Sequence, residues 1–166
     1  MNIPTKPRWI EINTNLKKCR KIARILKRKN TELKLPIRKN TIVPYRKNSK
    51  YEKHRIRAPS RTMLAHCHWS GLFQPDKKPH ICIKQRFLYW PMTSPTHNDY
   101  GRGKISDKLF PRWAWIDGNF ALIDIMCHEL VHLTELGHGK EFLKLYLKYL
   151  SQMAESIILV SFTDDS

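Results

Sequence analysis

His128-Glu129-Leu130-Val131-His132 is the segment of this 166-residue chain with the clearest chemical content. On an α-helix, residues i and i+4 lie one above the other on one face, so imidazoles at this spacing can hold one tetrahedral metal ion. Glu129, beside the first histidine, can reach a water on that metal. Beyond His132 come Leu133-Thr134-Glu135-Leu136-Gly137 and then His138. Gly137 is expected to be the residue that ends the helix, and a reversal there returns His138 toward the other two histidines. Three protein ligands and one open position make up a catalytic zinc site, whereas a structural site is closed. The expected cofactor is therefore one Zn2+, with His128, His132 and His138 as ligands and Glu129 as the catalytic carboxylate. Glu135 and Glu141 are alternative third ligands, each explained more simply as a surface charge. Asp124, one turn before His128, is either a partner that orients that ligand or a solvent-facing charge.

These residues need elements to hold them. Residues 119–135 are mostly apolar and predict a buried helix; residues 140–155 predict a second helix with Phe142, Tyr146, Tyr149, Leu150 and Met153 on one side. A tail covers 156–166. Residues 62–69 and 80–88 read as strands separated by a turn-rich Gln-Pro-Asp-Lys-Lys-Pro stretch, and 37–61 as a strand or hairpin. Residues 91–118 carry Pro, Gly, Ser, Asn and Asp and read as a long loop, a kind of segment that is often functional. His97, Tyr100, Arg102 and Arg112 in that loop are candidates to stabilise a tetrahedral oxyanion. Near the start, Leu16, Cys19, Ala23 and Leu26 form a helical stripe over about 14–30, with Asn13 or Thr14 as the cap. The fold class is α+β: a short mixed or antiparallel sheet packed on the buried helix of the two histidines, with a basic N-terminal helix.

A second group is His66-Cys67-His68 with His80 and Cys82. Strand residues two apart share a face, so these can pair, but no CxxC or CxxH spacing occurs and buried strand residues need no metal. The four cysteines, at 19, 67, 82 and 127, do not read as a disulfide framework, and Cys127 reads as a small core residue.

The stretch from His128 to His138, followed by Gly139 and Phe142, resembles the zincin metallopeptidases of the SprT/YgjP/WLM type. Those families share an HExxH helix, a third histidine a few residues past it, and a small residue and an aromatic after that. The resemblance is specific over about 15 residues and follows element order over 62–155. It implies a small zincin fold, zinc on His128, His132 and His138, peptide-bond hydrolysis assisted by Glu129, and a protein substrate. SprT-like members process proteins on DNA, but this chain shows no C-terminal zinc ribbon.

Charge points the same way from independent residues. Residues 1–61 carry 20 Lys/Arg against 3 Asp/Glu, while residues 62–166 carry 11 of each. The whole net charge of +17 thus lies in a basic N-terminal segment, which is either a separate arm or part of the domain formed with 62–155. Such a footprint predicts sequence-tolerant contact with a nucleic-acid backbone, through Lys17, Lys18, Arg20, Lys21, Arg24, Lys27 and Arg28. No apolar run approaches a membrane span and no signal-peptide core is evident, so a reducing, cytoplasmic setting with no membrane partner is expected. One rival reading is a nucleic-acid-binding or assembly protein whose zinc is structural or catalytically silent. A second is a metal-dependent nuclease, disfavoured because phosphodiester sites usually recruit carboxylate-held or paired metals.

Overall fold

The structure, a computed structural model, describes residues 9–45, 64–68, 79–93 and 116–160. Helix α1 (Trp9–Lys29) buries Ile12, Leu16, Cys19, Ala23 and Leu26, apolar positions alternately four and three apart that make one stripe. The helix begins before the expected cap. Thr14 caps nothing, because its hydroxyl donates back to the Ile10 carbonyl at 2.8 Å, and Ile12 extends the buried stripe by one turn. After α1 a 3₁₀ turn (Thr31–Leu33) leads to Lys34, whose left-handed φ of 48° turns the chain so that Leu35 and Ile37 re-enter the core.

Three strands follow: β1 (Ile42–Tyr45), β2 (Ala65–His68) and β3 (His80–Lys84), in the order β1-β3-β2. β1 runs parallel to β3 and β2 antiparallel to it, so the sheet is mixed. Alternation along β3 sends Ile81 and Ile83 toward the helices, where both are fully buried, and places Cys82 on the opposite face. The expected strand over 80–88 stops at Lys84. Its second half is helix α2 (Gln85–Tyr89), which buries Phe87 and Leu88.

Strands β4 (Met92–Thr93) and β5 (Ile116–Asp117) pair antiparallel at the two ends of the expected loop. Gly118 follows with φ 59°, the left-handed region that favours glycine, and its N–H donates to the Pro91 carbonyl at 3.0 Å. Helix α3 (Gly118–Val131) starts there, and helix α4 (Lys140–Val160) packs against it. α4 runs through the first residues of the expected tail, and the Ser156 hydroxyl bonds to the Gln152 carbonyl within it.

One hydrophobic core takes side chains from α1, β1, β3, α2, α3 and α4, so α1 is a wall of the core. Its far end is locked to α4 by an amide pair: Asn30, fully buried, donates to Gln152 Oε1 at 2.7 Å and accepts from Gln152 Nε2 at 3.1 Å. The architecture is a small α+β fold. Among the described residues, no helix is long and apolar enough to cross a membrane.

Candidate metal centre

Helix α3 is buried without interruption from Ala121 to Val131. His128 and Glu129 are thus held in the interior by an apolar helix that must be there to fill the core. The helix ends at Val131, before the expected glycine stop. The N–H groups of His132, Leu133 and Thr134 bond three residues back, to the carbonyls of Glu129, Leu130 and Val131, which tightens the last turn. Among the described residues Gly118 alone of the glycines has a positive φ, so Gly137 is no left-handed cap. The reversal is spread over 132–138, and it still returns His138 to His128 and His132.

The three Nε2 atoms converge. His128 and His132 are 3.3 Å apart, His132 and His138 3.0 Å, and His128 and His138 3.2 Å. A tetrahedral zinc with Zn–N of about 2.0–2.1 Å needs ligand nitrogens roughly 3.3–3.4 Å apart, so the donor set fits such an ion closely. Hydrogen bonding alone does not explain the contact. A neutral imidazole carries one N–H and one lone pair, so three Nε2 atoms cannot all pair with one another. Three lone pairs directed at one cation satisfy all of them.

The surroundings favour that arrangement. His132 Nδ1 donates to the Glu135 carbonyl at 2.9 Å, which leaves its Nε2 lone pair for a metal. Burial holds the His132 pKa below its ordinary value, partly offset by that carbonyl. Phe142 on α4 is 2% exposed and lies against all three imidazoles, with ring centroids 4.9, 5.0 and 4.7 Å from those of His128, His132 and His138. Tyr146, one turn on, stacks beside Phe142 and donates its hydroxyl to Asp124. Asp124 is buried, so the solvent-facing alternative falls. Its carboxylate instead ties α3 to α4 one turn before His128.

Glu129 is 4% exposed, and its Oε2 is buried without a hydrogen-bond partner among the described residues. Burial pushes its pKa up to about 8. Cys67 on β2 lies close enough for burial, then Glu129 and Cys82, to push its thiol upward. The carboxylate therefore belongs to the seam between α3 and β2.

Glu135 supplies only its carbonyl to His132, and Glu141 is exposed; among the described residues the one cluster with metal-binding geometry is His128, His132 and His138. The strand register sets His66 opposite Cys82 and His68 opposite His80, but brings no second such cluster together among the described residues. His97, Tyr100, Arg102 and Arg112 lie outside the described residues.

Of the basic residues on α1, Lys17, Lys18, Lys21, Arg24, Lys27 and Arg28 are exposed. Arg20 is half-buried and donates from Nε and Nη2 to the Ile42 carbonyl, which ties α1 to β1. Lys18 donates to Asn119 Oδ1 at 3.0 Å and Lys27 to the Ile37 carbonyl at 2.9 Å. Sequence reasoning placed Phe142 and Tyr146 on a helix face but missed the hydroxyl–carboxylate bond to Asp124 and the Glu135 carbonyl. The first had a signal in two four-residue spacings, Asp124 to His128 and Phe142 to Tyr146. The second had none, since a backbone acceptor has no residue type.

No protein-family model matches the chain, and no curated protein or solved structure matches it.

Proposed function

We propose that the chain is a zinc-dependent metallopeptidase of the SprT-like zincin type that hydrolyses peptide bonds in a protein substrate at or near nucleic acid. The observation that carries this reading is the convergence of three Nε2 atoms within 3.0–3.3 Å, contributed by the HExxH helix and the loop after it. Three imidazoles are the donor set of a catalytic zinc, while structural zinc closes its shell with a fourth ligand, commonly a thiolate. A zinc ion held by His128, His132 and His138 would supply Lewis-acid chemistry, activating a water near neutral pH and polarising a carbonyl.

The chain's own residues do the rest. His132, with Nδ1–H committed to Glu135, presents Nε2 in a fixed tautomer. Phe142 walls one side of the imidazoles and excludes water from it. Glu129 takes a proton at its carboxylate from the attacking water and delivers it to the departing amine nitrogen. Burial raises this carboxyl to about 8 in the metal-free chain, and a cation beside it would draw it back toward neutral pH, where it can both take and give a proton. The basic α1 places this chemistry on a body that can approach a polyanion.

The test is Glu129→Gln. The variant is expected to retain one zinc per chain and to lose cleavage of an unfolded protein substrate by about a hundredfold or more. Equal cleavage by both proteins, or none by either on varied substrates with nucleic acid present, refutes the peptidase reading. Zinc retained with no cleavage by either protein favours the silent-site alternative.

A further inference from the structure

Helix α1 has a second face that the core does not use. Lys17, Lys21, Arg24 and Arg28 are spaced four, three and four apart and all are exposed. That spacing aligns them on the outer side of the helix over about 16 Å at 1.5 Å per residue. None of the four makes a hydrogen bond or ion pair among the described residues. At its C-terminal end the row opens into a groove of about 410 Å³, lined by Arg24, Lys27, Arg28 and Lys34 with no carboxylate. The acids near this end are engaged elsewhere: Glu32 pairs with Lys148 at 3.3 Å and Glu155 with Lys29 at 3.8 Å. The helix dipole accounts for cations in the last turn only, so it does not explain Lys17, Lys21 or Arg24.

We propose that this row and groove form a docking surface for the phosphate backbone of double-stranded nucleic acid. The proposal rests on the nucleic-acid half of the functional reading and is independent of the metal. A duplex offers one negative charge per about 1.7 Å of axis, a dense target for a straight row of cations. Proteins that hold single strands add aromatic side chains on which bases stack, and neither the row nor the groove lining contains one. The surface also stands away from the imidazoles. Asn30 beside the groove meets Gln152, ten residues along α4 from Phe142, about 15 Å at the helical rise. Because α1 is a wall of the core, deleting residues 1–61 would destroy the fold, and point substitutions are required.

The experiment measures binding of the full chain to a 20-base-pair duplex, an oligothymidine strand and phosphatidylserine vesicles over a range of salt. Five cations without an ion-pair partner among the described residues (Lys17, Lys21, Arg24, Arg28 and Lys34) predict a slope of log K against log salt of about −4.5 or steeper on the duplex. Arg24→Gln with Arg28→Gln is expected to make that slope shallower by about 2 and to weaken duplex binding about fiftyfold at 0.1 M salt. Arg24→Lys with Arg28→Lys is expected to keep both, and zinc content and melting temperature report folding in all variants. Unchanged duplex binding by the Gln pair overturns the proposal while leaving nucleic-acid binding elsewhere on the chain. Tighter binding to oligothymidine than to duplex, or binding to vesicles alone, also overturns it. No nucleic-acid binding by the wild type at any salt removes both this proposal and the nucleic-acid reading, and leaves the peptidase reading untouched.

Discussion

Removing one imidazole should uncouple zinc from folding. The three nitrogens lie 3.0–3.3 Å apart and come from the end of α3 and the loop that leads into α4, so an ion at their centre pins that loop to the core. An ion that binds only the folded chain stabilises it by about 2.7 kcal/mol when free zinc is a hundred times the Kd. For a chain of this size, each kcal/mol moves the melting temperature by about 2–4 °C. Wild type is therefore expected to melt about 5–11 °C higher with zinc than after chelation. His138→Ala keeps the HExxH helix but loses the third nitrogen, and its shift is expected to fall below about 2 °C. Differential scanning calorimetry of both proteins, with and without zinc, is the assay, and metal analysis after dialysis gives stoichiometry. Equal shifts in the two proteins would show that His138 is no ligand, and no shift in either would refute the metal centre.

Three further outcomes follow from particular contacts. In the zinc-free chain, Glu129 titrates near 8 when folded against 4.5 when unfolded, so its contribution to stability is full below about 4.5 and is lost as pH rises through about 8; urea midpoints should show wild type losing ground to Glu129→Gln across that window, and parallel curves would contradict it. Phe142→Ala removes a buried ring that touches all three imidazoles and should cost about 3–5 kcal/mol by urea unfolding, with weaker zinc binding; a loss under 1 kcal/mol would mean that the ring is not packed as described. Asn30→Ala breaks the reciprocal amide pair with Gln152 and should cost about 1–3 kcal/mol, reduced if Gln152 is changed to Ala as well, which a double-mutant cycle measures.

What could be read in advance was local. The i, i+4 histidines, the mostly apolar turns before them and the four/three spacing on α1 are properties of a few consecutive residues, and the structure shows each. Boundaries failed where neighbouring residue types compete. Asn13 and Thr14 look like a cap, yet Ile12 has more to gain from burial than the helix has from a side-chain cap. The run from Ile81 to Leu88 has apolar residues at both ends of Lys84-Gln85-Arg86, and it is too short for a period to separate strand β3 from helix α2. Gly137 looked like a stop because glycine often is one, but i→i+3 bonds closed the helix earlier. Pairings between distant residues left no mark in composition: the parallel match of β1 with β3, the Asn30–Gln152 amide pair, and the hydroxyl of Tyr146 on Asp124.

The ribbon of β4 and β5 has a consequence for the placement of α3. Met92 pairs with Asp117 and Thr93 with Ile116, so two positions far apart in the sequence are held side by side just before the first turn of α3. The entropy that such a pairing costs grows only with the logarithm of the sequence separation it spans. The ladder thus acts as an anchor: by fixing where α3 begins, it fixes the register in which the helix delivers His128 to the core.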